Sequence, residues 1–201
     1  MKDHFHQLEQ FIRSSLSNPI DAEIRMILER FQLEELGKGE YFKRETEMCN
    51  KVGFILEGSL RHLTVKKNGE ESTVRITQSN NFVTDMMSIR MRSKTPLSIK
   101  TIEASTLLVA PIQEVDYLLE TNLTFNRLIR EYTADRMAEV GKLYLIFLTG
   151  SAKDRYRFIL ENNPKLLKKF PLRFIASMIG ITPTQLSRIR NEKRKKEQPI
   201  F

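Results

Sequence analysis

Apolar residues recur at helical steps through the first 35 positions. Phe5, Leu8, Ile12 and Leu16 share one face, and Ile24, Ile27, Leu28 and Phe31 share a second. This spacing predicts helix over residues 5–35, punctuated by Asn18-Pro19 and Asp21. From Leu36 onward the pattern changes to short runs rich in Val, Ile, Leu, Thr and Phe, divided by glycines at 37, 39, 53, 58 and 69. These runs predict strands at 53–56, 97–102 and 105–110, together with a hairpin in LRHLTVKKNGEESTVRITQ. There Asn68-Gly69 is expected to supply the positive-φ pair of a type I′ turn, between segments carrying Leu63, Val65, Val74 and Ile76. Short strands with no helix between them favour an antiparallel sandwich or barrel over a parallel sheet.

Pro111 then opens a helical region with Val115, Leu118 and Leu119 on one face. After Asn122 a proline-free run, TFNRLIREYTADRMAEVGKLYLIFL, is long enough for about seven helical turns. Phe125, Leu128, Ile129, Tyr132, Met137, Val140, Tyr144 and Phe147 recur along it at three- and four-residue steps, a stripe that must be covered. The sheet of the same chain could cover it, but its length also suits a second copy, making a homodimer the leading expectation. Thr149-Gly150-Ser151 reads as a boundary, which divides the chain into 1–121, 122–149 and 150–201.

The last segment holds a helix-turn-helix pattern, LRFIASMIGITPTQLSRIRNEKR, at 172–194. Ala176 is small enough for two helices to cross closely, and Gly180, four residues on, suits a left-handed turn. Ile175, Ile179, Ile181, Leu186 and Ile189 fall at the inward positions, Thr182 is a natural N-cap, and Pro183 suits the first helical position. The outward residues of the second helix follow from this phasing. Thr184, Gln185, Ser187 and Arg188 occupy the first turns, from which a recognition helix reaches base edges. Arg188 could bond guanine, Gln185 adenine, and Thr184 a thymine methyl. Thr182, Arg173, Arg190, Lys193, Arg194, Lys195 and Lys196 are expected at phosphates, setting affinity and salt dependence. The alternative is an antiparallel helix pair with a solvated basic face.

Charge favours the first reading. Residues 151–201 carry a net +9, whereas residues 1–150 carry −1, so the polyanion-binding character is concentrated around this pattern. Double-stranded DNA is the expected partner. No apolar run approaches the roughly 20 residues of a membrane span, and the N-terminus lacks an apolar signal core, so a cytoplasmic protein without a membrane partner is expected. Cys49 is the sole cysteine, excluding an internal disulfide or an iron–sulfur cluster held within one chain.

These segments resemble the catabolite activator (Crp/Fnr) family of bacterial transcription regulators. GKGEYFKRETE with GFILEGSLRHLTVKKNGEE resembles the family's cyclic-nucleotide-binding-type sensor barrel, the run after Asn122 its dimerisation helix, and ASMIGITPTQLSRIR its DNA-reading helix pair. The resemblance implies an α+β protein comprising an antiparallel jelly-roll barrel, a long dimer helix and a helix-turn-helix domain. It further implies a homodimer that places two recognition helices about 34 Å apart on a near-palindromic site, with RNA polymerase as a further partner. Arg188 matches the family's base-contacting arginine, while Pro183 and Thr184 replace an Arg-Glu pair, so the operator should differ. The chain ends seven residues after Arg194, which leaves little room for the wing strands of some relatives.

In members that bind cyclic AMP, a Glu in an F-G-E-L stretch holds the ribose and a later Arg-Ser pair holds the phosphate. Here FVTDMMSI places Asp85 at the acid, and SKTPLSI offers Thr95-Pro96 or Pro96-Leu97 in place of the pair. A buried phosphate needs a cation and convergent N–H donors, and proline removes one donor, so cyclic AMP is not expected in the usual mode. Asp85, Met86 and Thr95 are the candidate effector-pocket residues, with an unknown effector and no cofactor expected. Arg90, Arg92 and Lys94 read as a solvated loop, and Met86, Met87 and Met91 as core filling, or alternatively as the lining of an apolar ligand site.

Two other classes remain open. A cupin-like metal enzyme would use the same barrel, but of His4, His6 and His62 only the last lies in a strand, and no metal site is expected. A ligand-free regulator would depend on abundance or on a partner protein.

Overall fold

The computed structural model describes residues 2–197, with side chains over residues 4–192. The side chains of Lys193, Arg194, Lys195 and Lys196, expected at phosphates, therefore lie outside the described residues. Contacts divide the chain into two compact units, residues 1–71 with 75–134 and residues 72–74 with 135–201.

The first unit opens with helices α1 (Lys2–Ser15) and α2 (Asp21–Glu29). Among the described residues eight strands follow: β1 (Gln32–Leu36), β2 (Tyr41–Lys43), β3 (Lys51–Glu57), β4 (Ser59–Val65), β5 (Glu71–Gln78), β6 (Phe82–Val83), β7 (Ser98–Thr101) and β8 (Ser105–Pro111). They form two four-stranded sheets in the orders β1-β8-β3-β6 and β2-β7-β4-β5. Phe42, Ile55, Leu60, Val83, Ile99, Leu107 and Val109 fill the space between the sheets. Val52, Phe54, Leu56, Leu108 and Ala110 point the other way, into a second core with Leu8, Ile12, Ile24 and Ile27 of α1 and α2. The strand period of two thus gives β3 and β8 two buried faces, which accounts for their almost uninterrupted apolar runs. Phe11 adds ring contacts, at 5.1 Å from Phe54 and 5.8 Å from Phe82 between centroids.

Helix α4 (Ile112–Thr121) begins directly after Pro111, as expected, and buries Val115 and Leu118 in the second core. Helix α5 (Leu123–Thr149) is 27 residues long. At its start the Asn122 side chain accepts from the Phe125 N–H at 2.8 Å, and Glu23 accepts from the Thr124 N–H at 2.7 Å. A carboxylate beside those unpaired amides also favours the positive end of the helix dipole.

Three expectations about local structure are corrected. Helix does not continue to residue 35, because α2 ends at Glu29 and 32–36 is strand β1, paired antiparallel with β8 from Gln32↔Val109 to Leu36↔Ser105. A short helix, α3 (Met86–Met91), does lie between strands β6 and β7. The β4–β5 hairpin forms, but only Gly69 of its turn has positive φ, at 81°. Lys66 O accepts from the Gly69 N–H and the Lys66 N–H donates to Glu70 O, both at 2.9 Å, giving a type I turn closed by a glycine bulge in place of type I′.

The second unit contains the later part of α5 and helices α6 (Ala152–Asn162), α7 (Pro164–Lys169), α8 (Leu172–Met178) and α9 (Pro183–Glu197). Ser151 starts α6 with a capping box: its hydroxyl accepts from the Asp154 N–H, and Asp154 accepts from the Ser151 N–H.

Candidate nucleic-acid interface and barrel site

The turn between α8 and α9 fixes the direction of the outward face of α9. Gly180 has φ 67°, its N–H donates to Ser177 O at 3.1 Å, and the Ile181 N–H donates to Ala176 O at 3.0 Å. These two bonds make a Schellman turn, which places the left-handed residue just beyond the helix end, where glycine is cheapest. Ile175, Ala176, Ile179 and Leu186 are wholly buried, while Ile181 and Ile189 are half-buried, so the two helices lock through the positions anticipated from the sequence.

Thr182 then caps α9. Its hydroxyl accepts from the Gln185 N–H at 3.1 Å, and Gln185 Oε1 accepts from the Thr182 N–H at 3.0 Å. This is a reciprocal capping box that two unpaired helix donors need. It gives Gln185 a role that was overlooked, although Thr-x-x-Gln is a legible signature. An adenine-reading glutamine presents both its amide O and N, so here it would share that oxygen with the cap.

Thr184, Gln185, Ser187 and Arg188 are all exposed. At about 100° per residue they cover one arc of α9, opposite the buried Leu186. Thr182 and Arg173 are exposed, and Arg190 is half-buried. Among the described residues no carboxylate pairs with Arg173 or Arg188, which leaves their guanidinium donors available to anionic groups. Lys153 of α6, by contrast, pairs with Glu192 of α9 at 2.6 Å.

In the barrel, Asp85 and Thr95 do meet, but around a residue that sequence reasoning missed. Lys43 of β2 is buried, and its ammonium reaches Asp85 Oδ2 at 2.9 Å, Thr95 Oγ1 at 2.9 Å and Leu97 O at 2.6 Å. An ammonium has three protons, and these three acceptors satisfy all of them. The Thr95 hydroxyl donates to Asp85 Oδ2, while Asp85 Oδ1 accepts from the Ser88 N–H at 3.1 Å and so caps α3. Burial pushes the Asp85 carboxyl up, but hydrogen bonds from Thr95, Lys43 and Ser88, with the charge of Lys43, outweigh it and hold the group below its ordinary value. The charges here are directed at one another. Met86, the third candidate, faces solvent at 48% exposure, and Met87 and Met91 are also exposed, which corrects the expectation that these methionines fill the core.

His62 of β4 is buried, with Nε2 3.1 Å from Thr77 Oγ1. His4 and His6 lie on α1. Among the described residues no group of three or more His, Cys, Asp or Glu could hold a metal ion, and no helix is long and apolar enough to cross a membrane.

Residues 33–122 match the cyclic nucleotide-binding domain family. No curated protein matches the sequence. Among solved structures the chain is similar to FixK2 from Bradyrhizobium japonicum, with TM-score 0.69 and 15% identity over 85% of this chain and 88% of that one. It is also similar to a mutant of CooA from Carboxydothermus hydrogenoformans, with TM-score 0.68 and 16% identity over 85% and 79% of the two chains. A structure from Eubacterium rectale described as a transcriptional regulator of the Crp/Fnr family gives TM-score 0.64 and 17% identity, over 88% and 84%. Residues 33–122 are therefore similar to the cyclic nucleotide-binding domain family, and the chain that carries them shares the fold of these solved structures.

Proposed function

We propose that this chain is a DNA-binding transcriptional regulator, not an enzyme, which acts in the cytoplasm as a homodimer on a near-palindromic operator. The observation that carries this reading is the exposed arc of Thr184, Gln185, Ser187 and Arg188 on a helix whose start is fixed by a Schellman turn and a capping box. Arg188 supplies a bidentate donor for guanine, and Thr184, Gln185 and Ser187 complete the base-reading set. Thr182, Arg173, Arg190 and the basic run at 193–196 meet phosphates. The homodimer is supported by α5, where Met137, Val140, Tyr144, Leu145 and Leu148 are all more than half exposed in a single chain. RNA polymerase is the further partner of such a regulator.

The barrel does not take cyclic AMP in the usual mode. Its acid, Asp85, is neutralised by Lys43, and a second anion placed there would have to break a buried pair whose donors are already used. This favours regulation without a cyclic nucleotide, either through an uncharged effector or through abundance or a partner. An effector would act by biasing α5 and hence the spacing of the two recognition helices, to which half-site geometry is sensitive.

The test is selection of bound duplexes from random DNA, performed with the natural chain and with Arg188→Ala. A near-palindromic consensus is expected, and the variant should lose selectivity at one base pair of each half-site while retaining most non-specific binding. Absence of any consensus, or an unchanged consensus with the variant, overturns the base-reading assignment.

A further inference from the structure

The outer face of α3 carries side chains that DNA binding leaves unused. Met86 and Met87 are each 48% exposed and Met91 is 66% exposed. Arg90, Arg92 and Lys94 are exposed beside them, in a stretch, 86–94, that contains no carboxylate. Asp85, immediately before it, is buried against Lys43 and offers these cations nothing. The face is therefore apolar and cationic together.

Six residues do not make a helix unaided, so α3 is held by its surroundings. Asp85 caps its start, Ile89 packs on the core, and the Ser88 hydroxyl accepts from the Cys49 N–H and donates to Ser93 O. Arg92 closes the helix with φ 47°, a left-handed conformation that glycine would adopt at lower cost. A helix held in place by its surroundings thus presents three thioethers and three cations to water on one short segment.

We propose that this face docks an acidic amphipathic segment of a partner protein. The thioethers adapt to apolar side chains of differing shape, while Arg90, Arg92 and Lys94 pair with carboxylates and steer their approach. A DNA backbone would use the cations and leave the methionines against phosphate and water. A lipid surface is typically held by a longer amphipathic helix with Trp, Phe or Leu anchors.

The experiment uses the full chain labelled with 13C at the methionine methyls. The probe is a synthetic peptide of Leu and Glu at helical spacing, about five turns long. Saturable shifts of the Met86, Met87 and Met91 methyls are expected, with binding weakened roughly tenfold or more by Arg90→Glu with Lys94→Glu, and also by Met86→Gln with Met87→Gln. Lys94→Glu alone, at a side chain that is itself exposed, should weaken binding in the same direction and guards against a folding defect in the double variants. The proposal is overturned if no saturable shift occurs or if a Leu/Lys peptide binds equally. It is also overturned if the same methyls respond instead to phosphatidylglycerol vesicles, to duplex DNA, or to protein concentration alone, the last of which would identify a second copy as the occupant.

Discussion

Lys43 Nζ lies 2.9 Å from Asp85 Oδ2, and the two side chains are only 2% and 1% exposed. They are 42 positions apart in the chain, and Thr95 and Leu97 close the cluster from a third segment. One buried cation thus joins β2, the start of α3 and the segment that leads into β7.

Removing one partner of such a pair should cost far more than removing both. Lys43→Met leaves a buried, uncompensated carboxylate and should lower unfolding free energy by about 3–5 kcal/mol. Lys43→Met combined with Asp85→Asn removes the charge from both sides and should recover part of that loss. Urea denaturation of both variants checks this. Equal stability of the single variant and the natural chain would mean that the pair is open in solution.

The pair should also shape the response to acid, together with Glu23. Hydrogen bonding from Thr124 holds the Glu23 carboxyl below its ordinary value, and Asp85 is likewise lowered against the opposing effect of burial. A lowered carboxylate contributes stability that is fully present above its unfolded value, about 4, and is lost as pH falls through the folded one. Stability should therefore hold from pH 7 to about 5 and decline below about 4. Glu23→Gln should reduce stability at pH 7 by about 1–2 kcal/mol and flatten the acid limb, as measured by urea unfolding between pH 7 and 3.

The contrast between Lys43 and Gly180 explains what could be read from sequence. Gly180, Ala176 and the Thr182-Pro183 cap act on residues within a few positions of one another, so their spacing encodes the helix pair directly. Lys43 sits in the charged string YFKRETE, which by itself looks like a turn, and its three acceptors are 42 or more positions away. Strand β1 was illegible for a related reason. QLEEL is composed of good helix formers, and pairing along the sheet edge with β8 overrides that preference. The methionines of α3 mislead in the opposite sense, because a run read as core filler is in fact exposed.

Gly180→Ala tests the turn that sets the direction of α9. An added Cβ would require φ 67° of an alanine and would sit 3.2 Å from Phe147 Cε1 and 3.4 Å from an Arg155 guanidinium nitrogen. Strain of about 1–2 kcal/mol is expected, read as a lower melting temperature. DNA affinity should fall for all sequences alike, because the whole helix would be re-aimed.

The exposed stripe of α5 predicts the state of assembly. Burying Val140 or Tyr144 against a second copy would contribute about 1.5–3 kcal/mol each, and a charge there would oppose that burial. Val140→Glu and Tyr144→Glu should each shift sedimentation from dimer towards monomer without melting the single chain, since both side chains are already exposed there, at 56% and 62%. A natural chain that sediments as a monomer at micromolar concentration would refute the dimer.

Gln185 can be asked which of its two roles dominates. Glu at the third position of a helix completes a capping box with threonine as well as Gln does, and its charge suits the positive end of the helix. Gln185→Glu should therefore leave the melting temperature unchanged or slightly raised. In the complex the same charge would face a base edge and the nearby phosphates, so DNA affinity should drop and preference at one base pair should move from adenine towards cytosine, whose amino group a carboxylate accepts. Gln185→Ala removes both roles, costing about 0.5–1 kcal/mol of stability through the cap and relaxing selectivity at that position. If Gln185→Glu changes neither affinity nor preference while Gln185→Ala lowers stability, Gln185 serves only the cap, and base reading rests on Thr184, Ser187 and Arg188.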